Sequence, residues 1–162
     1  MKRLALLAGV LLFALLLAGC QSDDDDDNGN GGTLVAFSVL QTGQTSGIGM
    51  ERLTVIRNQE AYDALWREHE TAFVIPPAQP AVDFAQRKVV AAFLGQRTTD
   101  RHRIEIVEIR ERTANFMVKV RATLPDDECT VIDELVEPYQ LVTIPRSDKV
   151  VGFTTEIVRG CP

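Results

Sequence analysis

The sequence predicts an α+β domain built mainly on an antiparallel β-sheet of about seven strands, with one short amphipathic helix. Three observations lead there. Short runs of period-two alternation recur along the chain, separated by polar or glycine-bearing turns. In one place the period changes, so that Tyr62, Leu65, Trp66 and His69 fall at i, i+3, i+4 and i+7, the single stripe of a helix. One run, Lys88 to Leu94, is apolar on both faces, as expected of a strand in the middle of a sheet.

Taken in order, Leu34 to Leu40 alternates with Val35, Phe37 and Val39 on one face, and Gln41 to Gly49 reads as a turn into a second strand at Arg52 to Arg57. Asn58 is a good N-cap for the helix that follows, because its short side chain can accept from a first-turn amide. That helix must end before Pro76, Pro77 and Pro80. Lys88 to Leu94 is the central strand, and Gly95 to His102 is a turn. In Arg103 to Arg110, Ile104 and Ile106 alternate while Val107 and Ile109 sit one position out of phase, which predicts a β-bulge near Val107. A short turn around Arg112 to Ala114 joins this run to Asn115 to Thr123 as a hairpin, with Phe116, Val118, Val120 and Ala122 inward and Lys119 and Arg121 outward. Pro138 to Ile144 and Val150 to Val158 complete the set, linked by a turn at Pro145 to Lys149.

The N-terminal residues are not part of this pattern. Lys2 and Arg3 precede an apolar run from Leu4 to Leu17, and Ala18 and Gly19 supply the small residues a signal peptidase needs. Cys20 directly after them is the lipobox arrangement, so residues 1–19 read as a lipoprotein signal peptide and Cys20 as the acylated N-terminus of the mature protein. The alternatives are an ordinary secretory signal or a transmembrane anchor, but the apolar run falls short of the about 20 residues that span a bilayer. Residues 20–32, with the acidic run Asp23 to Asp27 and the segment Asn28 to Gly32, read as a disordered tether, since neither stretch can bury enough apolar surface to offset its ordering entropy. Asp24, Asp26, Asn28 and Gly29 fit the first half of a calcium loop, yet Val35 stands where a bidentate glutamate is required. The expected location is the cell envelope, anchored in the lipid bilayer through Cys20. Gln21 after the cysteine favours the outer membrane, facing the periplasm, while the acidic run is equally consistent with export to the cell surface.

Residues 33–162 then form a single domain, large enough for one core. The formal net charge of −6 includes Lys2, Arg3 and the five tether aspartates, which leaves this domain only mildly acidic. Its basic residues do not cluster, which argues against nucleic acid as a partner. Cys129 and Cys161 are expected to pair in an oxidising compartment and to fasten the chain end. The alternative, a reactive thiol or metal ligand, needs a neighbouring imidazole or a CxxC spacing, and neither is present locally.

Catalytic signatures fail at identifiable residues. His69 and Glu70 begin an HExxH pattern, but Phe73 stands at the second histidine. Ser46 lacks the glycine two before it that a nucleophile elbow requires, and Ser147 precedes Lys149 by two positions rather than three. His69 reads as a packed helix-face side chain, His102 as an exposed one. The cluster Asp126, Asp127, Glu128, Asp133, Glu134 and Glu137 reads as a solvated face rather than a metal site. The expectation is a non-enzyme without cofactor or metal.

Tyr62 to Trp66 on a helix, then Val82-Asp83-Phe84, Val89-Val90 running into Leu94-Gly95-Gln96-Arg97, Ile104-Glu105-Ile106, and Pro138-Tyr139 with Val142 and Ile144-Pro145 follow in an order that resembles the C-terminal domain of PrcB-type protease complex subunits. The likeness runs over nearly all of Arg52 to Phe153. It implies a membrane-tethered, non-catalytic lipoprotein that associates with, or assists assembly of, an exported protease. In one place the chain departs from the family. Where the family typically continues with proline, threonine, two glycines and a tyrosine, this chain has Thr98, Thr99, Asp100, Arg101 and His102. Glycine takes positive φ freely and Arg101 does not, so the turn is expected to have another shape. Arg97, Thr99, Arg101 and His102 are therefore the candidate partner-binding turn, with an exposed turn that has simply drifted as the alternative. The leading expectation is a protein-interaction or accessory module for a protease complex. The second is a periplasmic ligand-binding domain with a pocket between the Trp66 helix and the sheet, and an enzyme of unrecognised type is a third.

Overall fold

In the computed structural model, which describes residues 31–162, the strand-rich reading becomes a three-layer arrangement. The signal segment, Cys20 and the acidic run lie outside the described residues. The elements are β1 (Thr33–Leu34), β2 (Ser38–Gly43), β3 (Arg52–Ile56), α1 (Gln59–His69), β4 (Arg87–Phe93), β5 (Arg97–Thr99), β6 (Arg103–Glu111), β7 (Asn115–Leu124), β8 (Asp133–Val136), β9 (Tyr139–Pro145) and β10 (Val150–Arg159). One four-stranded sheet has the order β1-β6-β7-β10, a second the order β2-β9-β4-β3, and β5 and β8 form a two-stranded ribbon.

The second sheet lies in the middle. Val90 and Ala92 of one β4 face and Leu94 just after it, with Val142 and Ile144 of β9, meet Ile104, Ile106, Phe116, Val118 and Val120 from the first sheet. The opposite face, through Val89, Ala91, Phe93, Tyr139 and Leu141, meets Tyr62, Leu65 and Trp66 of α1. This explains why β4 and β9 read as nearly continuous apolar runs, because strands buried on both sides have no polar face. Lys88 is the exception inside that run. Its ammonium lies 4.4 Å from the Phe116 ring centroid and donates to the Ser147 carbonyl at 3.2 Å. Burial, with Arg57 nearby, pulls its pKa below the usual lysine range.

The helix forms where the 3.6-residue stripe placed it. Asn58 Oδ1 accepts from Ala61 N at 2.8 Å, the stripe residues are buried, and a single 3₁₀ turn at Glu70–Ala72 ends the element before the prolines. The bulge also falls where the phase slip predicts it, since β6 and β7 lose register between Ile106 and Glu108. The amide of Ile106 donates to Gln140 Oε1 of β9 at 2.6 Å, so a side chain from the facing sheet satisfies a buried donor at the slip.

Four expectations are corrected. There are ten strands rather than about seven. Leu34 to Leu40 is not one strand: β1 pairs with β6 and β2 with β9, and a register shift between Val39 and Gln41 leaves Val39 exposed. The assigned turns Gln41 to Gly49 and Gly95 to His102 contain the end of β2 and all of β5, and the acidic stretch contains β8. Finally, β9 and β10 form no hairpin. The chain crosses between sheets at 146–149, and β10 runs parallel to β7 from Val150↔Asn115 to Arg159↔Leu124. A connection of hairpin length does not reveal which sheet receives the next strand.

Cys129 and Cys161 are bonded, with Cα atoms 5.4 Å apart and 32 positions between them in sequence. The bond ties the end of β10 to the loop before β8. Replacing both cysteines with serine is expected to lower stability by about 3–4 kcal/mol, the loop-closure entropy released to the unfolded chain. A shift in the urea midpoint with unchanged native far-ultraviolet circular dichroism would check it.

Candidate functional site

Ser46 and His69, set aside separately on sequence grounds, meet in the fold. His69 is the last stripe position of α1, and its Nδ1 lies 3.0 Å from Ser46 Oγ, with both residues buried. Ser46 is carried there by a loop that caps the helix end, where carbonyls lack intrahelical donors. Gly47 N donates to the His69 carbonyl at 2.9 Å, and a Cβ at Gly47 would lie 1.9 Å from Thr71 Oγ1 and 2.3 Å from the Glu68 carbonyl. Ile48 N in turn donates to Ser46 Oγ at 3.2 Å. The rings of Tyr139, Trp66 and Phe73 surround the imidazole at centroid distances of 4.5, 4.9 and 5.2 Å.

Burial among these rings pushes the His69 pKa down to about 4, so the ring is neutral near pH 7. Its Nε2 meets no hydrogen-bond partner. An attacking serine needs an accessible hydroxyl, and its base needs an orienting group on the second nitrogen. Here the hydroxyl is sealed at 0% exposure and no such group contacts the ring among the described residues. The pair is a polar joint between helix end and loop, in agreement with His69 as a packed side chain.

The candidate turn is the start of the small ribbon. Arg97 pairs with Val136 and Thr99 with Asp133, and the ribbon is closed by Asp100 N donating to the Ile132 carbonyl and Ile132 N donating to Asp100 Oδ1. Arg101 adopts φ of 63°, the one positive φ outside glycine among the described residues. It therefore takes the left-handed conformation expected to be difficult for it. Its Nη1 donates to the Pro162 carbonyl at 3.1 Å, a tie that compensates part of the backbone strain. His102 is half-buried rather than exposed, with Nδ1 3.0 Å from the Thr99 carbonyl and 3.2 Å from that of Asp100. Arg97 donates to the neighbouring Gln96 carbonyl. Arg97, Thr99, Arg101 and His102 are thus brought onto one turn, but mostly bound to backbone rather than presented as a charged face.

What the ribbon does present is apolar. Ile132 and Leu135, flanking and within β8, are 64% and 63% exposed, and Met50, whose neighbour Gly49 accepts from Gln96 N, is 74% exposed. Sequence reasoning missed these because the surrounding acids masked them as a solvated loop. Of those acids, Asp126 packs against the disulfide, its Oδ1 2.9 Å from Cys129 Sγ and 3.7 Å from Cys161 Sγ. Sulfurs bonded to each other offer no thiolate for a cation.

Cavities open at several places among the described residues. One of about 260 Å³ lies between α1 and β3, lined by Leu65, Ala61, Val55 and the ion-paired Arg52 and Glu68, and Trp66 does not line it. The pocket expected beside Trp66 is therefore displaced to the other flank of the helix, because Trp66 itself packs into the core. A second, of about 70 Å³, opens beside Arg97 between the sheets, lined by Leu94, Ile104, Leu124, Thr155 and Ile157. A groove of about 680 Å³ surrounds the chain at Gly31 to Thr33, where Arg112 Nε donates to the Gly31 carbonyl and Arg110 Nη1 to that of Gly32. The last two residues assigned to the tether are consequently held by the domain.

Two outcomes are expected from the Ser46–His69 joint. Gly47→Ala should destabilise the domain by about 1–3 kcal/mol through the clash with the helix end, read as a lowered melting temperature. Because the His69 pKa is near 4 when folded and near 6.5 when unfolded, the unfolded chain binds more protons between these values. Stability is then intact above about pH 6.5 and falls by up to about 3 kcal/mol as pH drops towards 4. Denaturant titrations at pH 7 and 4.5 check this, with His69→Phe expected to show a smaller fall.

No curated protein and no solved structure matches the chain. A family model described as PrcB C-terminal matches residues 88–145, a narrower stretch than the likeness over Arg52 to Phe153. That stretch runs from β4 through β9 and includes the Arg97–His102 turn, the ribbon and the bulge. From the central strand to the last strand of the middle sheet, residues 88–145 are similar to the PrcB C-terminal family.

Proposed function

We propose that this protein is a cell-envelope lipoprotein, acylated at Cys20, whose domain acts as a non-catalytic accessory module for an exported protease complex. The observation that carries this reading is the PrcB C-terminal match across β4 to β9. The lipobox order Leu17-Ala18-Gly19-Cys20 supports the anchor, and two acyl chains or more make such an anchor stable. The docking surface is the ribbon. Ile132 and Leu135 stand in water beside the Arg97–His102 turn, and apolar side chains exposed on an otherwise well-packed domain favour a protein partner. The disulfide and the Arg101–Pro162 tie hold that surface rigid, which limits the entropy lost on docking.

Affinity purification of the full chain from native membranes tests the proposal. An exported protease should travel with it, and the double change Ile132→Asp and Leu135→Asp should cut the recovered protease at least about tenfold, equivalent to about 1.4 kcal/mol. Recovery of no protease above background would refute the accessory role. Absence of palmitate label, with Cys20→Ser leaving processing and membrane fractionation unchanged, would refute the anchor.

A further inference from the structure

We propose that β10 pairs edge to edge with the β10 strand of a second copy of this chain, joining two outer sheets across a two-fold axis at Thr154. This goes beyond the accessory role and does not depend on it. β10 is the last strand of its sheet, paired with β7 over ten consecutive positions without a register shift. Among the described residues no strand occupies its other edge. A long, straight, open edge is a template for another strand, and proteins that must stay unpaired usually guard such edges with lysine, proline, bulges or shortness. The other outer strands are guarded: β1 has two residues, β3 has five, and β2 is broken between Val39 and Gln41. Between Val150 and Val158, β10 has no lysine, no proline and no break.

The occupant follows from the side chains. Val150 and Ile157 are each 65% exposed although they belong to a regular strand. A two-fold axis normal to the sheet keeps both faces continuous, so each residue opposes itself or one an even number of positions away. With the axis at Thr154, Val150 opposes Val158, Val151 opposes Ile157, Gly152 opposes Glu156 and Phe153 opposes Thr155. Every exposed aliphatic side chain then meets another, and from Val150 to Val158 no like charges face each other. Arg159 falls opposite Lys149 just outside the strand, and the Lys149 ammonium is already paired with Glu111 at 2.9 Å. Glu156 meets only glycine across the axis and keeps its own partners, Lys119 at 3.2 Å and Arg121 at 3.3 Å. Moving the axis to Phe153 would set Val150 against Glu156, and moving it to Thr155 would set Val151 against Arg159. The strand is complementary to itself in one register, and a closed two-fold contact stops at the dimer.

The register is tested by cysteine cross-linking of the full chain in native membranes. Directly opposed residues have Cα atoms about 4.5–5.5 Å apart, within disulfide reach, whereas residues two positions out of step lie about 7–8 Å apart. Under mild oxidation Thr154→Cys should give a covalent dimer of twice the chain mass in at least about tenfold higher yield than Thr155→Cys or the unsubstituted chain. Both changes fall at exposed positions, and circular dichroism confirms that each variant is folded. Equal dimer from Thr154→Cys and Thr155→Cys, or none from either folded variant, would overturn the proposal. So would a Thr154→Cys adduct to a different polypeptide, which would assign the edge to a foreign strand.

Discussion

The sheet β2-β9-β4-β3 is buried on both faces, by the outer sheet through Val90, Ala92, Val142 and Ile144 and by α1 through Val89, Ala91, Phe93 and Leu141. Double burial removes any solvent face on which these strands could slip, because a one-residue shift would exchange the two sets of side chains and mismatch both neighbours. The rest of the fold answers to that constraint. β6 must bulge so that Ile104, Ile106 and Ile109 all point at the middle sheet, and Gln140 is placed on β9 to receive the amide of Ile106 at the bulge. Lys88 keeps a buried position only because the Phe116 ring and the Ser147 carbonyl replace part of the water its ammonium loses.

With so much of the interior committed to packing, the polar side chains within it serve as joints. The Ser46–His69 pair shows this well: two residue types that often work together in catalysis are used to fix a loop to a helix end, at the expense of access. The ribbon has the opposite character. It contributes little to either core cluster, and is held instead by a disulfide, a side-chain-to-terminus hydrogen bond and a few backbone bonds. Such an element can vary in surface composition without disturbing the layers beneath. Asp100 and Arg101 are one example, Arg101 holding a left-handed backbone there.

Much of this was readable from local pattern. The helix, its Asn58 cap, the central strand, the β6–β7 hairpin and the phase slip at Val107 each depend on spacing within a few residues, which the sequence displays directly. The errors have a common origin in long-range pairing. β5 and β8 are short, polar strands that exist because they find each other across more than 30 positions, and nothing in Arg97-Thr98-Thr99 or in Asp133-Glu134-Leu135-Val136 announces that meeting. The parallel docking of β10 on β7 is likewise a decision of the whole fold. The meeting of Ser46 with His69 was not legible either, since 23 positions separate them, though each carried a partial motif that drew notice.

The stretch shared with the family ends at residue 145, before β10 begins. Yet β10 covers the entire length of β7 and adds Val151 and Phe153 to the packing around the larger core cluster. The stretch similar to the family is thus smaller than the unit that folds. The strand that seals the β7 edge, and with it the sheet's outer boundary, is therefore supplied by sequence beyond the matched stretch.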